Sequence, residues 1–257
     1  MITIRELTTM EELEEMMDVE EAVWQMEPLQ VHQTFTVLKN GGIILGAYDD
    51  EKMIGFLYSF PGFVEGDVYL CSHMLGFLPD YRKRGIGVLM KQRQAELAKD
   101  RGYQKLRGTF DPLETPNAYL NIQKLRAIGA YYKVNHYGEM ADEFNTGLPT
   151  DRMIIEWDLT KSTAVEEVVI NDTHLLLRNN NGHPKKSTTL LTESRMNRTT
   201  SAVPSNFQQI KEENFELAKA WRFETQQRFV ELFQAGYVAT GVKNDLNNET
   251  TYYKLTK

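Results

Sequence analysis

The most informative stretch of the chain reads Phe77-Leu78-Pro79-Asp80-Tyr81-Arg82-Lys83-Arg84-Gly85-Ile86-Gly87. An apolar, strand-like segment ends at its start, and apolar residues recur at helical spacing after Gly85. Three cations and two glycines lie between the strand and the helix. Glycines let backbone amides approach an anion closely, and a helix start adds unpaired N–H groups and positive dipole. The stretch therefore predicts a pyrophosphate-binding turn. A solvated basic turn before a glycine-initiated helix is the alternative.

Two common phosphate-binding loops do not fit this spacing. A nucleotide P-loop needs a Gly-Lys-Ser/Thr sequence, and none follows these glycines. In the dinucleotide fingerprint the third glycine would fall at Met90, and the glycines would directly follow the strand. The sequence therefore argues against a nucleoside triphosphate or a dinucleotide as the ligand.

Strands and helices alternate on both sides of this stretch. Thr9 and Glu12 have the spacing of a capping box, which predicts that a helix begins there. The pair Pro61-Gly62 is expected to end the third strand. Further helices are predicted at 29–39, 86–101 and 115–127, and strands at 2–7, 43–48, 53–60, 68–77, 103–110, 131–140 and 152–159. The alternation in the second half predicts an α/β fold with at least one parallel strand pair.

The pattern of apolar and polar residues changes near residue 160. Short extended pieces (165–170 and 174–178) and a polar, loop-like stretch (179–205) precede a long predicted helix at 212–235 and a closing hairpin at 237–255. The helix carries Trp221 and Phe229 on an apolar stripe, which must be buried against something. We therefore expect residues 161–257 to pack on the preceding domain or on a second subunit. A separate small domain is the alternative.

Composition excludes several classes of protein. The 257 residues carry a net charge of −7, which disfavours a generally basic nucleic-acid binder. Cys71 is the single cysteine, so an intrachain disulfide and a cysteine-built zinc site are excluded. No secretory signal is visible at Met1, and no run approaches the ~20 apolar residues of a membrane span. We expect a cytoplasmic protein with neither a nucleic acid nor a membrane as partner.

The pattern Arg82-x-x-Gly85-x-Gly87 after a strand and a proline resembles the acyl-CoA-binding motif of the GNAT-superfamily N-acyltransferases, Gln/Arg-x-x-Gly-x-Gly/Ala. The order of strands and helices is also similar to that family over roughly residues 1–160. One subgroup of predicted GNAT proteins, whose chain continues past the acyltransferase core, resembles this chain in further segments: Thr109-Phe110-Asp111-Pro112-Leu113, Asn117-Ala118, Asn121, Lys124-Leu125, 135–140, 149–152 and Trp221-Arg222.

The resemblance implies a fold, a division of the chain and a cofactor. The implied fold is a mixed α/β sheet, with an acyltransferase domain at 1–160 and a C-terminal extension of strands, a long helix and a hairpin at 161–257. The fourth and fifth strands, here 68–77 and 103–110, would splay apart at the site of acetyl-CoA or another acyl-CoA. No metal is implied, and a homodimer is possible.

The same resemblance assigns residues to the cofactor. Pantetheine would lie along the fourth strand and use backbone groups at Leu75 and Phe77. Its pyrophosphate would be held by six consecutive residues: Arg82, Lys83, Arg84, Gly85, Ile86 and Gly87. The helix from Thr115 would flank the cofactor with Asn117 and Asn121.

Acyl transfer to an amine needs a proton acceptor, and His73 is the first candidate. Strand alternation places it on one face with Cys71, Leu75 and Phe77, where an imidazole could relay a proton near neutral pH. A hydrogen-bonded core histidine is the alternative. The thioester is already activated, so Cys71 is not needed as a nucleophile and is interpreted as a small buried side chain.

Asp111 is the second candidate, because it follows the fifth strand just past the expected splay. It could accept the proton, bind the substrate ammonium, or merely cap the turn at Pro112. Glu65 and Asp67, which precede the fourth strand, are weaker candidates.

The general acid departs from the family pattern. The family often has tyrosine in a Tyr-x-Lys-x-Gly-Phe stretch, and alignment on Lys124 places Ile122 and Arg126 at the tyrosine and glycine positions. Tyr119 lies one helical turn earlier and is the substitute candidate. Otherwise the thiolate leaves unassisted or through water.

Fewer residues can be assigned to the binding of the acceptor amine. Trp24 could line the acceptor pocket, although a tryptophan in a helix is commonly part of the hydrophobic core. Tyr137, Glu139 and Arg152 belong to the subgroup-like segments, and Arg152 could hold a carboxylate through two hydrogen bonds. A structural ion pair between Asp151 and Arg152 is the alternative.

These observations lead to one main functional hypothesis. The chain would transfer an acetyl or succinyl group from CoA to the amine of a small, amino-acid-like acceptor, directly and in a ternary complex. The alternative is a non-catalytic acyl-CoA-binding or protein-interaction module.

Overall fold

The computed structural model describes residues 1–140, 142, 145–161, 167–171, 174–187 and 197–257. The chain forms two compact units. The first comprises Met1–Gly108 and Trp157–Ser162, and the second comprises Thr109–Glu156 and Thr163–Lys257. The C-terminal residues thus share a compact unit with residues 109–156. The division into family domains near residue 160 stays a prediction.

The first unit is a five-stranded sheet with helices on its two faces. Its elements are β1 (Ile2–Glu6), α1 (Met10–Trp24), α2 (Val31–Lys39), β2 (Ile43–Asp49), β3 (Lys52–Val64), β4 (Asp67–Phe77), α3 (Ile86–Asp100) and β5 (Lys105–Phe110). The strands are ordered β1-β2-β3-β4-β5. The pairs from β1 to β4 are antiparallel, and β4 and β5 are parallel. The expected parallel pair is confirmed.

Local sequence signals explain the helices of this unit. Thr9 caps α1, because its side chain accepts from the Glu12 N–H while the Glu12 side chain bonds back to the Thr9 backbone. Leu13 and Met16 of α1 are buried in an apolar cluster on one side of the sheet. Ile86 and Met90 of α3 belong to a second buried cluster. The amphipathic faces of α1 and α3 therefore cover the sheet.

The third strand does not end at Pro61-Gly62, and that prediction is wrong. Pro61 pairs with Leu70, and the strand continues to Val64. β2 stops pairing at Ser59, so beyond that point β3 has only β4 as a partner. A proline is tolerated on such an open edge, because no neighbour needs its missing N–H.

The second unit is a seven-stranded sheet with two packed helices. Its elements are α4 (Thr115–Ala118), a π-helical turn (Tyr119–Lys124), β6 (Ile128–Lys133), β7 (Arg152–Asp158), β8 (Leu175–Asn180), β9 (His183–Lys186), β10 (Arg198–Pro204), α5 (Phe207–Glu213), α6 (Phe215–Gln234), β11 (Val238–Asp245) and β12 (Thr250–Thr256). The strands are ordered β7-β6-β11-β12-β10-β8-β9. Within this unit β8 and β10 pair in parallel, and its other described pairings are antiparallel.

Several sequence predictions for this unit were wrong in detail. The helix expected at 115–127 is one short α-helical turn followed by the π-helical turn, and the strand expected at 131–140 lies at Ile128–Lys133. The stretch predicted to be a loop, 179–205, contains β9 and β10, although residues 188–196 lie outside the described ones. The extended piece expected at 165–170 falls partly outside them too.

Burial of the long helix confirms the apolar stripe. Phe229 is buried between the rings of Tyr132 and Tyr253, at centroid distances of 5.6 and 5.2 Å. Trp221 is also buried, and its Nε1–H donates to the Gly182 carbonyl at 2.8 Å. The helix is shorter than predicted and starts after Asn214, whose side chain accepts from the Leu217 N–H. Residues beyond 206 thus pack on residues of the 109–156 segment.

Candidate functional site

The opening between β4 and β5 is the first feature of the candidate site. The described pairings of these strands are Leu70 with Leu106 and Cys71 with Arg107. Beyond Cys71, β4 continues for six residues to Phe77 without a described pairing to β5. Backbone groups on this part of β4 that lack a described β5 partner can therefore bond to an extended ligand, as the resemblance implied, although the Phe77 carbonyl already accepts from Arg82.

A β-bulge at His73 changes which side chains share a face of β4. Ser72 pairs with Ser59 and Met74 pairs with Tyr58, so His73 is an extra residue in the ladder. Leu75 and Phe77 pack against the cluster of Ile86 and Met90. The predicted alternation therefore fails at this point.

The His73 side chain lies on the opposite side of the sheet from Leu75 and Phe77. Its imidazole packs against the rings of Tyr58 and Phe60, at centroid distances of 6.3 and 5.6 Å. Both rings belong to the cluster that α1 covers. The expectation that His73 shares a face with Leu75 and Phe77 is therefore wrong, because the bulge shifts the alternation by one residue.

The surroundings of β4 set the protonation states of its titratable side chains. Although His73 keeps contact with solvent, desolvation by its apolar neighbours lowers the pKa of the imidazole. Burial raises the pKa of the Cys71 thiol to about 11. Cys71 is thus a neutral thiol at physiological pH, in agreement with its interpretation as a packing residue.

We expect His73 to titrate below the usual histidine value of about 6.5, because its charged form is desolvated. The unfolded chain then takes up a proton at a higher pH than the folded one, so stability falls as pH decreases below about 6.5. An NMR titration of the imidazole measures the midpoint, and the His73→Gln variant should lose that part of the pH dependence. A midpoint above 6.5 would contradict this environment.

The basic turn after β4 forms the second feature of the site. Gly85 precedes α3 with a φ of +80°, in the left-handed region, and no side chain caps the helix start. A Cβ built at Gly85 would have no heavy atom within 4 Å. The space beside the residue that starts α3 is therefore open, as a bound anion requires.

The cations of the turn are arranged around this helix start. Arg82, Lys83 and Arg84 are exposed. Nε of Arg82 donates to the Phe77 carbonyl at 3.1 Å, and the Arg84 guanidinium lies 5.0 Å from the centre of the Tyr81 ring. These contacts hold two of the three cations beside the free end of α3, where they suit a pyrophosphate.

Asp111 lies in the second unit in a buried ion pair. Its carboxylate accepts two hydrogen bonds from Arg222, one of them 2.8 Å long, and a third from the Leu113 N–H at 2.9 Å. Asp111 is 8% exposed and Arg222 is 2% exposed. These contacts support the turn-capping alternative for Asp111, because they occupy most of the acceptor positions that a proton acceptor would need.

Arg152 is also engaged with protein groups. Its guanidinium donates to the backbone oxygen of Asp151 and to Oδ1 of Asn145, both at 2.9 Å, and lies 5.2 Å from the centre of the Tyr137 ring. The Asp151 carboxylate instead accepts from the Tyr132 hydroxyl at 2.7 Å. A side-chain ion pair between Asp151 and Arg152 is therefore not what the structure shows.

The other candidates of the second unit differ in exposure. Tyr137 and Glu139 are exposed, and Asn117 is exposed while Asn121 is buried. Asn121 donates to the Asn117 backbone oxygen at 2.9 Å, and its own Oδ1 is buried without a partner. Tyr119 is half-buried with the Lys124 ammonium 5.4 Å from its ring centre, and Ile122 is buried.

Trp24 occupies a core position at the end of α1. Its ring meets Phe56 edge-on at a centroid distance of 5.5 Å. A Cβ at Gly76 would lie 3.0 Å from the same indole. The indole thus packs closely on the backbone of β4, which supports the core alternative for Trp24.

A buried polar group beneath β4 was missed in the sequence. Lys91 of α3 is 7% exposed, and its Nζ donates to the Ser72 hydroxyl at 2.5 Å. The sequence feature that could have revealed this group is the pair Lys91 and Gln94, three residues apart on the helix face that carries Ile86 and Met90. Such long polar side chains usually lie at the surface, so the pattern is easily overlooked.

The described residues contain neither a candidate metal site nor a helix that could span a membrane. They contain no group of three or more His, Cys, Asp or Glu side chains that could hold a metal ion. None of the helices in the described ranges is long and apolar enough to cross a membrane.

Comparison with known proteins identifies the fold. Residues 8–117 match the model of the acetyltransferase (GNAT) family. The ribosomal-protein-S18-alanine N-acetyltransferase from Escherichia coli superposes with a TM-score of 0.51 and 18% identity, over 66% of this chain and 100% of that one. An N-acetyltransferase from Staphylococcus aureus Mu50 gives a TM-score of 0.51 and 20% identity, over 62% of this chain and 99% of that one. No curated protein matches the chain.

These matches confirm the predicted fold class, a mixed α/β sheet of the GNAT type. The family match includes the basic turn, β4 and β5, and it ends at residue 117. Asn121, Tyr137, Glu139 and Arg152 lie beyond it, and the roles of all the candidate site residues, inside the match or outside it, stay predictions.

Proposed function

We infer that this chain, which carries a GNAT acetyltransferase domain at residues 8–117, is an N-acyltransferase that uses an acyl-CoA as donor. We propose more specifically that it transfers an acetyl or succinyl group to the amine of a small, amino-acid-like acceptor, directly and in a ternary complex. One observation carries the proposal. The helix α3 begins at Gly85, which has a left-handed backbone and no side-chain cap, and the neighbouring strand β4 has no described pairing with β5 beyond Cys71.

The residues of the basic turn would bind the cofactor. The exposed Arg82, Lys83 and Arg84 would offset the phosphate charges, and the amides from Gly85 to Gly87 would donate to pyrophosphate oxygens. Leu75 and Phe77 would offer backbone groups to the pantetheine arm. When bound, acyl-CoA supplies a thioester that an amine can attack without a covalent enzyme intermediate.

A neutral imidazole is the form of histidine that accepts a proton, and desolvation by Tyr58 and Phe60 favours that form of the solvent-exposed His73. We therefore retain His73 as the proposed base, ahead of Asp111 with its bidentate Arg222 partner. With Ile122 buried at the usual tyrosine position, we propose that the thiolate leaves unassisted or through water rather than through Tyr119.

The acceptor proposal rests on the second unit. Arg152 would have to exchange a bond to Asn145 or to the Asp151 backbone for one to a substrate carboxylate. Exposed Glu139 is the candidate for which no described hydrogen bond has to be exchanged, whereas the Tyr137 hydroxyl already bonds to Oγ1 of Thr109 at 3.1 Å. The similar Escherichia coli enzyme is named for an alanine of a ribosomal protein, so a protein N-terminus is the competing acceptor class.

Release of CoA from acetyl-CoA and from succinyl-CoA, measured against a panel of amines, tests this function. The panel should contain free amino acids, simple amines and a peptide with N-terminal alanine, with acceptor-free and enzyme-free reactions as controls. We expect turnover with one donor and faster turnover with free amino acids than with the peptide. Faster turnover of the peptide would contradict the small acceptor.

A non-catalytic acyl-CoA-binding module is the second candidate function, and the buried Ile122 at the tyrosine position favours it. It predicts tight binding of CoA without turnover of either donor across the whole panel. Turnover of any amine above the enzyme-free rate would exclude it.

A further inference from the structure

Three side chains form a buried polar chain beneath β4. Nζ of Lys91 donates to the Ser72 hydroxyl at 2.5 Å, and that hydroxyl donates to Oε1 of Gln94 at 3.0 Å. Lys91, Ser72 and Gln94 are 7%, 8% and 0% exposed. Ser72 directly follows Cys71, the last residue of β4 with a described pairing to β5. The polar chain therefore lies at the base of the opening between the two strands.

This group has more hydrogen-bond donors than acceptors. An ammonium carries three donors, and Ser72 is the acceptor that the described residues offer to Lys91. No carboxylate among the described residues lies within 4.0 Å of its Nζ. Nε2 of Gln94 is buried and has no hydrogen-bond partner among the described residues. Buried donors without acceptors are costly, so the arrangement calls for an oxygen atom that the protein itself does not supply.

We propose that Lys91 and Gln94 form a buried subsite at the base of the β4–β5 opening, and that it binds a carbonyl oxygen of the acyl-pantetheine arm. This inference rests on the proposed function. Ser72 lies on the same face of β4 as Leu75 and Phe77, the face that α3 covers. Phe77 lies five positions after Ser72, which corresponds to roughly 16 Å of strand. An arm that starts at the basic turn and follows β4 thus leads to this group.

The carbonyl oxygen has two possible sources, and binding measurements distinguish them. CoA carries the amide carbonyls of the arm, whereas acetyl-CoA adds the thioester carbonyl. We would measure the affinities of both for the wild-type chain, Lys91→Met and Lys99→Met by calorimetry. Lys99 is exposed on the same helix and is the matched control.

We expect Lys91→Met to bind acetyl-CoA roughly 10- to 100-fold more weakly, which is the effect of losing a bond from a charged donor. An unchanged affinity for CoA would identify the thioester carbonyl, and an equal loss for CoA would identify an amide carbonyl. Lys99→Met should bind both as the wild type does. Wild-type affinity of Lys91→Met for both ligands would overturn the inference and leave a buried water as the missing acceptor.

The pH dependence of the affinity for acetyl-CoA tests the role of Lys91 further, because a purely structural lysine would not change it. Burial lowers the pKa of Lys91 to about 8, and Cys71, the other titratable group that acts on it, stays a thiol up to about 11. Affinity for acetyl-CoA should fall as pH rises above about 8, because the ammonium loses its proton. Lys91→Met should lack this decline. A wild-type affinity that stays flat through this range contradicts the inference.

The melting temperatures of the same variants show whether they remain folded. Replacing a buried charge by an apolar side chain of similar length is often neutral or stabilising, so Lys91→Met should melt no lower than the wild type. Gln94→Met is the second variant and should weaken the same ligand as Lys91→Met. A wild-type chain that binds neither CoA nor acetyl-CoA would overturn the proposed function together with this inference. Normal wild-type binding with both variants unaffected would overturn this inference alone.

Discussion

Replacing Arg222 by alanine is expected to lower the free energy of unfolding by about 3–5 kcal/mol. The change removes both hydrogen bonds from the guanidinium to Asp111 and leaves a carboxylate that is 8% exposed with Arg152, at 3.8 Å, as its remaining cation. Arg222 is itself one of the largest fully buried side chains, so the truncation also leaves a cavity. For a chain of this size the melting temperature should fall by roughly 10 °C.

Chemical and thermal denaturation measure this effect, with Lys219→Ala as control on the same helix. Lys219 is half-buried, and its ammonium contacts only groups one turn away among the described contacts, the Glu216 carboxylate and the Phe215 ring. Its loss should therefore stay within about 0.5 kcal/mol. The double variant Arg222→Met with Asp111→Asn should recover part of the stability, because the Asp111 carboxylate is no longer buried without Arg222. A loss in Arg222→Ala as small as that of the control would show that the pair contributes little to folding.

The sequence predicted features that depend on neighbouring residues. Thr9 and Glu12 form the capping box at the start of α1, and Gly85 precedes α3 as the motif indicated. Both signals span only a few residues, so the local chain contains the information that determines them. The same holds for the hairpin of β2 and β3, whose register follows from the turn at Asp50.

Features that depend on distant partners were not predictable in this way. Asp111 and Arg222 lie 111 residues apart in sequence, and nothing beside Asp111 shows that its partner is in α6. The bulge at His73 arises from the register between two strands, and no local residue type marks it.

β10 was missed because its residues look polar. Thr199, Thr200 and Ser201 are all buried, and the Thr199 hydroxyl donates to the His174 backbone oxygen at 2.8 Å. A hydroxyl that finds such a partner can be buried at little cost, so burial here depends on tertiary contacts rather than on hydropathy.

Replacing Gly87 by valine is expected to abolish measurable binding of CoA while the chain remains folded. Gly87 is the second residue of α3, directly after the uncapped start, where the proposed pyrophosphate would touch the backbone. A branched side chain would occupy the space of the phosphate oxygens. Valine is a slightly better helix former than glycine, so the melting temperature should not fall.

Calorimetry with CoA tests this expectation, with Leu89→Val as a matched control. Leu89 lies on the same helix and is 54% exposed, so the control introduces the same β-branched residue away from the turn. It should bind CoA like the wild type. Undiminished affinity in a folded Gly87→Val chain would place the pyrophosphate elsewhere and remove the main support for the proposed cofactor site.

Gly85→Ala separates the shape of the turn from steric blockage. A Cβ at Gly85 has open space around it, but the φ of +80° is one that alanine adopts only at a cost of about 1–2 kcal/mol. This variant should therefore lose stability and bind CoA more weakly, because its turn relaxes away from the left-handed conformation. Gly87→Val should lose binding alone. A pyrophosphate site lined by backbone amides therefore requires two results. Gly85→Ala should bind CoA more weakly and be less stable, whereas Gly87→Val should lose CoA binding with unchanged stability.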